Sequence, residues 1–287
     1  MRIHHITALA SVAKATLFCH SESSPNPIAS QYPHLTTGTI NGTVAIIPVP
    51  LSYVRSIVPV EYPILTSQYQ ALLPWFPKDM FPMMMQTELD HDVQNSGIKI
   101  PDFQRGGFSF PFIDRLNDGY TGMAYGGKEL ISAVNIAVLG TAAYGYSVIS
   151  SVFDPPCDAY ECADIQCKSR SFKAFDVLRP LVGPVLRTNF TDSTGSPYPL
   201  SFYKNITNQP QFSDNKLVCD NYVRLYNASI TTGEFAPIAV KGTVSVVAPL
   251  LPETTSYSDV WGLRMDNAFI ENNFKSCKSL QGYTFSD

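Results

Sequence analysis

Glu88, Asp90, His91 and Asp92 place four proton-transferring side chains within five positions. Such groups act as general acid or base when held beside a reacting oxygen. The spacing does not suit a metal ion. If residues 83–94 form a strand, Glu88, Asp90 and Asp92 share one face and His91 takes the other, so the four cannot converge. Since Asp and Glu are seldom buried without a partner, the run is expected to be the solvent-facing end of a strand. The functional alternative is that Asp90 or Asp92 turns inward as proton donor or acceptor.

Other candidate groups are more scattered. Trp261 and Arg264 in DVWGLRMDN, and Asn135 and Tyr144 in an apolar stretch, are polar or amphipathic groups suited to a ligand. Their structural alternatives are an Arg264 pair with Asp259 or Asp266, backbone partners for Asn135 and a core position for Tyr144. GMAYGGKE, residues 122–129, follows the phosphate-loop pattern up to its last position, where Glu129 replaces the magnesium-binding hydroxyl and would repel phosphates. It is read instead as a tight turn between strands, carrying Lys128. No G-x-S-x-G elbow occurs, and His34 and His91 are the only histidines beyond position 20, which argues against a Ser-His-Asp hydrolase.

These groups need a frame. Residues 119–153 carry only two charges, Lys128 and Glu129, among Gly, Ala, Val, Ile and Tyr, so the stretch belongs inside a fold. Its second half, 134–153, is expected as two buried strands bent at Gly140 and Gly145. Across the 287 residues, 22 prolines and 17 glycines break the chain often and apolar runs are short. That pattern predicts one β-rich domain with short helices at 50–58, 67–73 and 259–274. A net charge of -4 points to no nucleic-acid partner. No run reaches the roughly 18 apolar residues of a membrane span.

Taken in order, TTGTINGTVAIIPVPLSYVRSIVP (36–59), LLPWFPKDMFPMMMQTELDHDVQ (72–94), IPDFQRGGFSFPFIDRLNDGY (100–120) and LGTAAYGYSVISSVFDP (139–155) resemble the acetoacetate decarboxylase-like β-barrels. They resemble more closely a secreted fungal branch of that family. The resemblance covers most of the chain and implies an α+β, β-rich fold: a closed, cone-shaped barrel at 36–287 with a few short peripheral helices. In the decarboxylases, the segment similar to 140–149 carries an Arg-Glu pair, Gly-Phe-Pro and a lysine that forms a Schiff base with the keto acid. Here the segment reads GTAAYGYSVI. Ala142 replaces the acid, Val148 or Ile149 replaces the lysine, and a side chain without an amine forms no imine. Lys128 lies some twenty residues earlier.

In such a barrel alternate residues face the lumen, which would put Phe108, Phe110 and Phe112 on one face. An apolar, aromatic pocket wall is accordingly expected from Trp75, Met83, Met85, Phe108, Phe110, Tyr125, Tyr146 and Trp261.

The N-terminus has a basic start and an apolar run to Phe18, as in a secretory signal, expected at 1–21 with a linker at 22–35. Asn-X-Ser/Thr sites at Asn41, Asn189, Asn205 and Asn227 favour the same secreted or lumenal compartment. Cys157, Cys162, Cys167, Cys219 and Cys277 would give two disulfides and one free thiol, with Cys19 inside the signal. The C-x4-C-x4-C spacing without a nearby histidine does not match zinc patterns.

The family resemblance further implies a hetero-Diels-Alderase of tropolone-sesquiterpene biosynthesis. Such an enzyme joins a tropolone o-quinone methide to humulene or a related sesquiterpene, with no cofactor and no metal. A pericyclic addition needs no covalent nucleophile, and holding two reactants together can lower the barrier by roughly 7–11 kcal/mol. Arg264, Asn135 or Tyr144 would bond the quinone methide oxygen, Asp90 or Asp92 would assist the dehydration that forms it, and the pocket wall would exclude water. Two alternatives stand beside this: a non-catalytic binding protein for a hydrophobic metabolite, and a lyase or hydrolase acting through Lys128. Whether the chain forms a homo-oligomer is open.

Overall fold

The computed structural model describes residues 25–159, 162–213, 217–233 and 235–285. The expected signal at 1–21 and Cys19 lie outside them. In chain order come β1 (Thr36–Pro50), α1 (Leu51–Arg55), α2 (Thr66–Leu72), β2 (Met80–Asn95), β3 (Ile98–Lys99), β4 (Phe103–Ile113) and β5 (Met123–Ser132). Then follow α3 (Asn135–Ala143), β6 (Ser147–Asp154), β7 (Ser169–Asp176), β8 (Leu186–Asp192), α4 (Leu200–Thr207) and β9 (Gln211–Phe212). The last elements are β10 (Val218–Leu225), α5 (Ser229–Thr232), β11 (Ile238–Val246) and β12 (Thr255–Ser276).

All twelve strands join one sheet that closes on itself twice. One circuit runs β1-β2-β4-β5-β6-β7-β8-β11-β12 and back to β1. The second leaves β5 through β9 and β10 to reach β12. β12 serves both because of its length: one edge pairs with β1, and the other pairs first with β11 and then with β10. Closure removes the unpaired edges an open sheet would expose.

β1 is buried almost continuously from Thr36 to Ile47 rather than in alternation. Both of its faces are covered, as such runs require. The main core gathers Val44, Ile46, Met83, Met85, Phe108 and Phe110 from the strands with Val54, Tyr69 and Phe202 from α1, α2 and α4. The described part of the expected linker also packs: Ile28 is buried against Ile230 and Ala268, and Asn26 Nδ2 donates to Thr37 Oγ1 at 3.0 Å.

Three expected elements differ. Residues 259–274 form strand, not helix, because their backbone pairs along two edges at once and Trp, Val, Phe and Ile favour a pleated surface. Gly262 is pressed so close to β1 that an added Cβ would meet Val44 O at 2.7 Å. GMAYGGKE is not a turn: all of it but Gly122 lies in β5, paired with β4 and with β6. Of the two strands expected in 134–153, the first is α3, a partly exposed helix, and only β6 is a strand. The helices expected at 50–58 and 67–73 appear as α1, shorter, and α2, of the same length but one residue earlier.

Phe112 breaks the alternation of β4. It has φ 60, and pairing with β5 shifts between Phe110 and Ile113. Cys162–Cys167 and Cys219–Cys277 are disulfides, with Cα separations of 4.7 and 4.9 Å. Cys157 is also disulfide-bonded, so the expected free thiol is absent among the described residues. Asn41 is 3% exposed within β1 between β2 and β12, a position closed to a glycan, whereas Asn189, Asn205 and Asn227 are exposed. No helix among the described residues is long and apolar enough to cross a membrane.

Candidate active site

A cavity of about 380 Å³ opens at one end of the second circuit. That volume falls in the lower part of the roughly 300–1,000 Å³ typical of ligand pockets. Its mouth is apolar, made by Val93, Ile98, Ile100 and Phe103 from the β2–β4 side and by Ile136 and Ala137 of α3. Deeper in, the wall becomes acidic: Asp90, Glu129, Asp220 and Glu271 line it, with Arg105 and the phenols of Tyr144, Tyr146 and Tyr222.

Strand phase explains this grouping. Glu129 faces inward from β5, Asp220 and Tyr222 from β10, and Phe269, Glu271 and Asn273 from β12, each set two residues apart. On β2 the phase changes partway. Glu88 and Asp90 point in, but Asp92 has φ 50 and an extra residue is taken up opposite Thr37–Thr39. Beyond this bulge Val93 and Asn95 line the cavity, while Asp92 turns away to meet the His91 ring at 3.0 Å.

Arg105 organises the floor. Its guanidinium reaches Asp90 Oδ2 at 2.9 Å, Glu88 Oε2 at 3.4 Å and Glu129 Oε1 at 3.5 Å. Arg224, one layer further in, holds Glu88 Oε1 at 2.6 Å and donates to Gln86 Oε1 at 3.1 Å. Both guanidinium groups lie over the Tyr222 ring, at 5.1 and 5.8 Å. Five carboxyl groups therefore face two cations in a dry interior, and protonation relieves the excess.

Burial lifts the Asp90 carboxyl to about 6, against the pull of Arg105. Burial likewise lifts Glu129 to about 7, with Asp90 and Glu88 adding repulsion to the opposing effect of Arg105. Glu271 rises to about 7, chiefly by burial. Asp220 is pushed well above the usual carboxyl range by burial and then by the charge of Glu271. Burial also raises the Tyr146 and Tyr222 phenols, so both stay protonated.

Of the groups singled out in the sequence, the cavity brings together Asp90, Tyr144 and Tyr146. The other candidates whose side chains are described sit elsewhere. Arg264 reaches Asp192 at 3.4 Å, Asp259 pairs with Lys241 at 2.7 Å, and Arg264 lies away from the cavity beside Arg170 and Phe172. Asn135 opens α3 rather than standing in a central strand. Met83, Met85, Phe108, Phe110 and Tyr125 are closed into the main core. Trp75 is 53% exposed beside Tyr198, and Trp261 carries Lys241 over its ring at 5.0 Å. Lys128 does not line the cavity: its neighbour Glu129 does, and its own Nζ donates to Pro249 O at 2.6 Å. The acidic run is no solvent-facing strand end, since Glu88 and Asp90 are buried.

Arg105, Glu129, Asp220, Tyr222 and Glu271 were not singled out as site residues. A signal was present in CDNYVRL, where Asp220, Tyr222 and Arg224 alternate with Asn221 and Val223 on one strand face. Glu129 was hidden by its reading as the end of a turn.

No family model and no curated protein matches the chain. Solved structures do. The enduracididine biosynthesis enzyme MppR, with HEPES buffer bound, aligns at a TM-score of 0.53 and 10% identity over 84% of this chain and 86% of that one. The fold is acetoacetate decarboxylase-like. An acetoacetate decarboxylase-like enzyme from Sphingomonas wittichii RW1 aligns at 0.49 and 5% identity, covering 85% and 92% of the two chains. An acetoacetate decarboxylase aligns at 0.46 and 8% identity, covering 88% and 89%. At these identities the likeness concerns the fold alone. Within its own acetoacetate decarboxylase-like barrel, this chain has no lysine among the described residues lining the cavity. Imine chemistry on that wall therefore has no amine to use.

Proposed function

We propose that this barrel is a cofactor-independent enzyme whose cavity acids move a proton on a neutral, mostly apolar substrate. Within that class, our reading is a hetero-Diels-Alderase that joins a tropolone o-quinone methide to humulene or a related sesquiterpene. The observation that carries it is the pairing of an apolar mouth with buried carboxyl groups, no amine among them, that keep protons near neutral pH. General acid–base catalysis is most effective when the group titrates near the working pH.

The dehydration balances without an external reagent. A cavity carboxylic acid protonates the hydroxymethyl oxygen, the C–O bond breaks, water leaves, and a cavity carboxylate takes the tropolone hydroxyl proton. The quinone methide and alkene then close two bonds with no proton transfer. The Tyr144, Tyr146 or Tyr222 hydroxyl is available to bond the quinone methide oxygen as negative charge grows there. The mouth residues Val93, Ile100 and Phe103 would shield that intermediate from water.

The test is an incubation of the protein with a hydroxymethyl tropolone and humulene, followed by adduct yield and stereoisomer ratio against buffer. One enriched stereoisomer is expected, with a rate about 100-fold lower in Asp90→Asn. A yield and ratio equal to buffer would reject the reading for this pair and favour a metabolite-binding barrel.

A further inference from the structure

The five carboxyl groups divide by what holds them. Glu88, Asp90 and Glu129 are bound by Arg105 and Arg224. Asp220 and Glu271, on the wall made by β10 and β12, form no ion pair among the described residues. Neutral groups fix Glu271 instead. Asn273 Nδ2 donates to its Oε1 at 2.7 Å, Thr36 Oγ1 donates to Asn273 Oδ1 at 2.8 Å, and Asn95 Nδ2 donates to Thr36 Oγ1 at 2.6 Å. Asp220 Oδ1 is buried without a hydrogen-bond partner among the described residues.

A bulge brings the two acids into the same wall. Between Cys219 and Asn221 the partner strand advances from Lys275 to Asn272, and Phe274 takes φ 53 to accommodate the extra residue. Bulges re-aim side chains in this way beside functional sites. Two carboxyl groups on neighbouring strands, sharing a dry wall and lacking a cation of their own, do not both ionise.

We propose that Asp220 and Glu271 hold one proton between them and donate it to a neutral oxygen of the substrate, while Asp90 accepts the proton released from the substrate's ring hydroxyl. The identity of that oxygen rests on the dehydration reading above; the shared proton does not. Of the other charged groups facing the pair, Arg105 alone opposes its protonation. Glu129 from β5 and Asp90 from β2 add negative charge, Arg105 from β4 is already divided among three acids, and Tyr144, Tyr146 and Tyr222 stay neutral. Burial raises the proton affinity of both acids, and the charge of Glu271 raises Asp220 further while that of Asp90 raises Glu271. After water leaves, the pair regains a proton from solvent through the mouth and Asp90 returns one to it. The substrate class follows: an uncharged hydroxyl or carbonyl compound is accepted, and a carboxylate is repelled.

The near-isosteric variants Asp220→Asn and Glu271→Gln test this. With hydroxymethyl tropolone, each should form adduct about 100-fold more slowly. With a quinone methide released spontaneously from a masked precursor, each should keep the wild-type rate and stereoisomer ratio. Wild-type rates on the hydroxymethyl substrate would overturn the assignment, as would equal losses on both substrates. Difference infrared spectroscopy gives a readout free of any substrate. In a Glu129→Gln background, which removes the other acid lifted to about 7, the protein at pH 7 should show a protonated carboxyl band that Asp220→Asn removes and Asp192→Asn, outside the cavity, retains. Persistence of the band in Asp220→Asn and Glu271→Gln would overturn the shared proton, whereas its loss in an enzyme inactive on tropolones would reject only the proposed reaction.

Discussion

At Gly126 the missing side chain decides what the cavity contains. The Tyr146 ring occupies the space an added Cβ would need, and its hydroxyl lies 3.3 Å from Gln211 Oε1. Gly126→Ala should expel the ring and cost about 1–3 kcal/mol, as overpacking does. Thermal unfolding and the stereoisomer ratio of the adduct would report it; an alanine variant as stable and as selective as wild type would show that the ring is not wedged there. The same position shows what single residues conceal. The GMAYGGKE spacing suggests a turn or a phosphate loop, yet here Gly126 and Gly127 serve close packing inside a strand. Asp90 was legible as an acid that alternation could turn inward. Asp92 was grouped with it because strict alternation takes no account of a bulge.

α3 is the element that closes the cavity, and it is anchored at its C-terminal end. Tyr144, just past its last turn, stacks on Phe274 with centroids 4.8 Å apart and accepts a hydrogen bond from the Phe274 amide at 3.1 Å. The helix otherwise leaves Ile136 and Leu139 exposed. Tyr144→Phe should keep the stack and lose the acceptor, raising amide exchange in α3 by about tenfold for a loss of roughly 1.4 kcal/mol. Tyr144→Ala should raise it further and weaken ligand retention. Unchanged exchange in the alanine variant would mean that α3 is held by other contacts. The helix was hard to foresee because NIAVLGTAA is apolar and flanked by strand-like sequence, and periodicity does not separate a short helix from a buried strand. The opposite error at β12 has the same root: a strand paired along both edges is buried irregularly, and its pattern imitates helical spacing.

For the whole molecule, the closed β-rich barrel was readable from frequent breakers, short apolar runs and the order of its segments, but the double closure was not, because one strand serving two circuits leaves no local mark. That second circuit has a thermodynamic consequence. It buries Asp90, Glu129 and Glu271 with carboxyl affinities lifted to about 6, 7 and 7, above those of an unfolded chain. In the folded state these groups bind more protons than in the unfolded state across the interval between the two values. Stability contributed by protonation is thus complete below about pH 4 and declines as pH rises toward 7. Thermal unfolding followed from pH 5 to pH 8 should show a falling midpoint, with a loss on the order of a few kcal/mol. Glu129→Gln combined with Glu271→Gln should flatten that slope, since an amide carries no titrating proton. A midpoint that climbs over the same interval would mean the acids are ionised in the folded barrel and held by Arg105 and Arg224, and the cavity would then be built to receive a cation rather than to give a proton.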